Sequence, residues 1–101
     1  MKPRRNPIAL AREWDALLQT GRCASRADLA RELAVSRARV TQVLRLLALT
    51  PSVLEAVADL GDPLPGSGVT EHALRRLVKR TPEEQELWWK SVEVQVTHGE
   101  R

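Results

Sequence analysis

Apolar residues recur along this chain at helical spacing, and polar punctuation separates the runs. Asn6 followed by Pro7 is a cap-then-proline start, after which Leu10, Trp14, Leu17 and Leu18 share one stripe up to Gly21. Ser25 with Asp28 three residues later is a capping-box pattern that predicts a second helix with Leu29, Ala30 and Leu33 inward. Ser36 caps a third, in which Val40, Val43, Leu44 and Leu47 follow the i, i+3, i+4, i+7 rule. Thr50-Pro51 repeats the start signal ahead of Val53, Leu54, Val57 and Leu60, and Gly61 stops that run. "GDPLPGSG", 61–68, is a loop by its glycines and prolines. Thr70 then caps a helix with Ala73, Leu74, Leu77 and Val78 on one side and Arg75, Arg76, Lys79 and Arg80 on the other. Thr81-Pro82-Glu83-Glu84 starts the last, which carries Leu87, Trp88 and Trp89. In "SVEVQVT", 91–97, the valines alternate with a period of two, so a short terminal strand is expected. The predicted class is all-α, with five or six short helices and that possible strand.

The third helix raises a question of chemistry. Opposite its apolar stripe lie Ala38, Thr41, Gln42 and Arg45, with Arg37 and Arg39 on the flanks and no acid among them. A solvated helix ordinarily mixes signs, because opposite charges one turn apart support it. This face is suited to something negative. A turn of three or four residues joins it to the preceding helix, and the small Ala30 sits where the two must cross closely. That is the helix-turn-helix pattern, whose second helix enters the major groove of DNA. Short side chains such as Ala38 and Thr41 let the backbone approach; Arg37 and Arg45 can pair with guanine edges or phosphates, and Gln42 with adenine. The amides near Ser36 offer a phosphate contact at a helix N-terminus. Leu46, Ala48 and Leu49 make the end of this segment apolar nearly all round, so later helices must cover it and only the first turns stay free.

Composition narrows the partner. The 101 residues are 43% apolar, enough for one modest core, and net charge is +3. The charge is uneven: residues 1–45 hold ten Lys/Arg against four Asp/Glu, and residues 46–101 hold six against nine. A basic half favours nucleic acid or another acidic surface. Cys23 is the single cysteine, which excludes an internal disulfide and fits a reducing cytoplasm. No apolar run nears the roughly 20 residues that span a bilayer, and no apolar segment follows the basic start, so no membrane partner is expected.

From residue 5 to about 86 the chain resembles the DNA-binding domain of the ParB/KorB partition-protein family. "RRNPIALAREWDALLQTG" looks like that family's opening helix. "SRADLARELAVSRARVTQVLRLLALTPSVLEAV" is similar to its helix-turn-helix and the helix after it, "VTEHALRRL" to its His-Ala helix, and "TPEEQ" to the segment beyond. The joint order of these segments is far more specific than the helix-turn-helix alone. The resemblance implies that Ser36, Arg37, Ala38, Thr41, Gln42 and Arg45 face the operator. It places Arg75, Arg76, Lys79 and Arg80 beside them, where they can touch the DNA backbone. Ser25, Arg26 and Arg39 complete the expected backbone set. Three departures follow. The family's nucleotide-binding domain does not precede the match, so no nucleotide is expected as partner. Its dimerisation domain is missing or reduced to about fifteen residues. Ala34 stands at the turn where Gly is common, a cost of about 1 kcal/mol if that site needs a positive φ.

Catalysis and metal chemistry find no support. His72 and His98 are far apart, Cys23 is distant, no Ser/His/Asp or Cys/His pairing has local support, and Glu83, Glu84 and Glu86 are the acids a helix start favours. The expectation is therefore a non-enzymatic protein without cofactors. It divides into a basic arm (1–5), a helix-turn-helix DNA-binding domain (6–90) and a tail (91–101). Its partner would be double-stranded, palindromic DNA, read sequence-specifically in a partition-like, repressor or recombination-accessory role. A homodimer would form through the tail strand, with Val92, Val94 and Val96 on one edge and Trp88 or Trp89 as an anchor. The competing class is a helical module that uses the same surface to bind a protein.

Overall fold

Each helix begins where a short polar side chain can take up the amides of its first turn. The computed structural model describes residues 4–64 and 69–99, with side-chain surroundings described up to Val92. Helix α1 spans Pro7–Gln19, α2 Arg26–Leu33, α3 Arg37–Arg45, α4 Pro51–Ala58, α5 Glu71–Leu77 and α6 Pro82–Gly99, and a 3-10 turn, Leu46–Ala48, extends α3. The side chains of Asn6, Ser25, Ser36, Thr50 and Thr70 accept from first-turn amides of α1 to α5. Thr81 and Glu84 form a reciprocal box on α6: Thr81 Oγ1 accepts from Glu84 N at 3.2 Å and Glu84 Oε1 from Thr81 N at 3.1 Å. At α2 the box is half made, because Ser25 accepts from Asp28 N while the Asp28 carboxylate turns to Arg31.

Two apolar clusters fill the interior, and α1 and the α3 segment run through both. Ala11, Trp14, Cys23, Leu29, Ala30, Val40, Val43 and Leu44 form the cluster under the helix-turn-helix. Ile8, Leu46, Leu49, Val53, Val57, Val69, Leu74, Leu77 and Val92 form the other, with Trp88 and Trp89 packed on it. Leu46 and Leu49 are thus covered by later helices as expected, whereas Ala48, expected to be covered with them, stays exposed because it faces away from that cluster.

Two buried polar side chains, Asn6 and Gln85, lock the helices in register, and both are hydrogen-bonded. Asn6, fully buried, caps α1 and also donates from Nδ2 to Val57 O at 2.8 Å and Gly61 O at 2.9 Å. Asp62 accepts from Asn6 N and from Arg5, and Leu64 N donates to Arg4 O, so residues 4 and 5 of the expected arm lie against the end of α4. Gln85 accepts from Thr50 N at 2.9 Å and donates to Arg80 O at 3.1 Å, while Glu86 accepts from Thr50 and Ser52.

The expected terminal strand is a helix. α6 continues through residues 91–97 to Gly99 and crosses the boundary drawn at residue 90. Trp88, Trp89 and Val92 are three and four apart, and all three pack on the second cluster, with Val92 buried. Extending a helix already nucleated at Thr81 costs far less than ordering a lone strand. The alternating valines therefore carry no strand, and strand pairing is lost as a route to a dimer. The side chains of Val94, Val96 and His98 lie outside the described residues, as do Met1–Pro3, residues 65–68 of the loop, and residues 100–101. Both tryptophans are half-buried, their rings tilted at 44° with centroids 6.3 Å apart. Neither is the exposed anchor expected from their adjacency; among the described residues Leu87 is the exposed large apolar side chain, at 67%.

The turn between α2 and α3 confirms its one local conflict. Ala34 adopts φ 57°, ψ 43°, and Val35 N donates back to Ala30 O at 3.0 Å, ending α2 in a left-handed residue. An L-residue with a Cβ costs roughly 1–2 kcal/mol in that region. Ala34→Gly is expected to stabilise the fold by about 1 kcal/mol net of glycine's added chain entropy, raising Tm by roughly 4–8 °C for a domain this size. A lower Tm in thermal denaturation would contradict this account of the turn.

Candidate nucleic-acid interface

Ser36 leaves its side chain on the α3 amides, with Oγ accepting from Arg39 N at 3.0 Å. From that start Val40, Val43 and Leu44 turn inward, and Arg37, Ala38, Gln42 and Arg45 stay exposed with Thr41 half-buried. The five residues expected to read bases thus share the open side of α3. Among the described residues, Arg37 and Arg45 make no ion pair.

The expected backbone contacts separate into paired and unpaired cations. Arg39 is half-buried and engages Glu71, the first residue of α5, through both guanidinium nitrogens: Nη2 donates to Oε1 at 2.8 Å and Nη1 to Oε2. Arg75, one turn along α5, places Nε 3.6 Å from the same carboxylate, and Arg80 lies 3.5 Å from Glu84. Arg76 and Lys79 are exposed and, among the described residues, unpaired. Ser25 and Arg26 are exposed at the start of α2, where Ser25 already accepts from Asp28 N.

α3 and α5 face each other across a cleft of about 280 Å³ lined by Gln42, Arg45, Leu46, His72, Arg75, Arg76, Val78 and Lys79. No acid lines it. The cleft brings the open end of α3 and the basic side of α5 into one surface, joining residues more than 25 positions apart. Sequence reasoning missed the Arg39–Glu71 pair that sets this arrangement. A first-turn Glu is explained locally by the helix dipole, and no local pattern signals a partner 32 residues away.

Glu71 is held below the ordinary carboxylate range chiefly by the hydrogen bonds from Arg39, against the opposing cost of partial burial, and Arg39 is raised in turn. Asp62 is lowered by Arg5 and the Asn6 amide, Glu84 by the Thr81 amide and hydroxyl, and Glu86 by the Ser52 and Thr50 hydroxyls. Among the described residues no group of three His, Cys, Asp or Glu stands together as a metal site, and no single helix is long and apolar enough to cross a membrane.

A helix-turn-helix whose second helix presents an acid-free, basic face beside a further basic helix defines a DNA-binding domain. The chain belongs to the ParB helix-turn-helix domain family, whose profile (ParB HTH domain) matches residues 5–95. Searches among curated proteins and among solved structures return no match.

The lowered carboxylates fix the sign of the acid response. A carboxylate with a depressed folded pKa stabilises the fold above its unfolded value, and that stability is lost as pH falls through the folded value. Stability is therefore expected to decline as pH drops below about 4.5, the ordinary glutamate value. Glu71→Gln should shallow the decline in an acid titration followed by tryptophan fluorescence. An unchanged acid profile in that variant would contradict the role given to Glu71.

Proposed function

We propose that this chain binds double-stranded DNA sequence-specifically, laying the first turns of α3 in the major groove. The observation that carries the reading is the open face of α3: Arg37, Ala38, Thr41, Gln42 and Arg45 stand together, exposed or half-exposed, with no acid among them. A groove about 12 Å wide admits one helix, and Ala38 and Thr41 keep that face low enough for the backbone to approach. Arg37, Gln42 and Arg45 read base edges; Arg76 and Lys79 supply sequence-independent attraction to phosphates, with Ser25, Arg26 and the α3 start adding backbone contacts. The protein acts without catalysis, cofactor or nucleotide, as a partition-like, repressor or recombination-accessory factor inside a bacterial cell.

One helix-turn-helix reads about half a site, so the reading includes a homodimer on a palindrome. With the strand gone, its apolar contribution falls to α6, where Leu87 is exposed beside the two tryptophans. Sedimentation equilibrium at tens of micromolar is expected to give a dimer for the parent chain and a monomer for Leu87→Glu. A monomeric parent chain would remove the dimer from the reading.

Selection of bound sequences from a random duplex pool tests the function itself and is expected to return a preferred half-site. Against that site, Gln42→Ala should change the preferred base at one position, at about 1–3 kcal/mol of discrimination. Arg76→Ala and Lys79→Ala should weaken binding to all sequences alike. The roles are wrong if Gln42→Ala leaves preference intact while Arg76→Ala shifts it.

A further inference from the structure

We propose that the cleft between α3 and α5 seats a single DNA phosphate, and that Glu71 is the positioning residue that builds this seat. The inference rests on the DNA-binding reading and adds to it a specific contact and a residue with no direct part in DNA binding. Four cationic side chains (Arg45, Arg75, Arg76 and Lys79) line the cleft together with Gln42 and His72, and Leu46 and Val78 supply apolar surface. A cleft lined by four cations favours an anion.

Arg75 supplies the second observation. Its Nε is shut off from solvent and, among the described residues, has no hydrogen-bond acceptor. The nearest carboxylate oxygen, on Glu71, lies at 3.6 Å, close enough to attract the guanidinium and too far to accept from it. That carboxylate holds the buried Nε edge of Arg75 in place, and the same side chain lines the cleft.

Glu71 explains why Arg75 waits there. Its two oxygens are taken by Arg39, and one also faces Arg75, so a single carboxylate serves two cations. That withdraws Arg39 from the DNA and turns it into a strut between α3 and α5. It also tethers Arg75 electrostatically at the cleft, where its guanidinium can donate to a new partner. Arg39 on this account contacts no phosphate.

The sign of one substitution separates positioning from simple electrostatics. Removing an acid next to a polyanion should tighten binding by charge alone. If Glu71 builds the seat, Glu71→Gln instead weakens binding and removes about one phosphate contact. The readout is the salt dependence of binding to random duplex DNA, in which each phosphate contact contributes about 0.9 to the log–log slope. Glu71→Gln and Arg75→Ala are each expected to lower the slope by about that amount, and the double variant by no more than either. Circular dichroism and Tm confirm that each variant is folded. Glu71→Gln binding more tightly, Arg75→Ala with the parent slope, or additive losses would overturn the proposal. A parent chain that does not bind duplex DNA would instead defeat the DNA-binding reading beneath it.

Phosphate chemistry can come from DNA or from the free ion, so a second arm titrates inorganic phosphate at constant ionic strength and follows the Arg75 Nε–H by NMR. Absence of saturation at millimolar phosphate supports a seat completed by the duplex. Saturation there assigns the cleft to the free ion and overturns the DNA contact.

Discussion

Everything in this fold turns on a single stretch, Arg37 to Leu49, that must be half open and half enclosed. Its first turns bury only one stripe, Val40, Val43 and Leu44, under the helix-turn-helix. Its end buries Leu46 and Leu49 in the other cluster, where α4, α5 and α6 close over it. The helix tightens to a 3-10 turn at Leu46–Ala48, where one-sided burial gives way to enclosure. Were the whole segment one-sided, nothing would anchor it; were it enclosed throughout, no face would remain for a partner. The division leaves about two turns free, which is what a major groove accommodates.

Polar contacts then fix the angles that apolar packing leaves loose. Asn6 binds the start of α1 to the end of α4, Gln85 and Glu86 bind the start of α6 to the start of α4, and Arg39–Glu71 binds α3 to α5. Each joins helix termini, where backbone groups lack intrahelical partners. The Arg39–Glu71 pair differs in cost. It spends a cation that the sequence offers to DNA, and in exchange sets the relative position of the two basic helices. Among the described residues Arg37, Arg45, Arg76 and Lys79 make no ion pair, and all four lie on or just beyond those two helices.

What was legible in the sequence was local. Asn6, Ser25, Ser36, Thr50, Thr70 and Thr81 act as caps where they were expected, because a cap needs only its own side chain and amides two or three residues on. The open face of α3 was legible because its period is strong and its outward residues share one chemistry. The positive φ at Ala34 was raised as a condition by the resemblance, which commonly has Gly at that turn. The terminal strand failed for a physical reason. Three valines at a period of two are compatible with either backbone, and Val92 favours the helix by reaching a core assembled from distant residues. The arginines show the same limit: spacing finds cations, but which of them DNA can reach depends on one acid, Glu71, 32 residues from Arg39 and four from Arg75.

The central claim is that α3 reads base edges from the major groove, and methylation interference on a selected duplex tests it most directly. Guanine N7 lies in the major groove and adenine N3 in the minor groove. The account predicts that methylation of guanine N7 within the half-site blocks binding, while methylation of adenine N3 there does not. Interference confined to adenine N3, or none at either position, would contradict it.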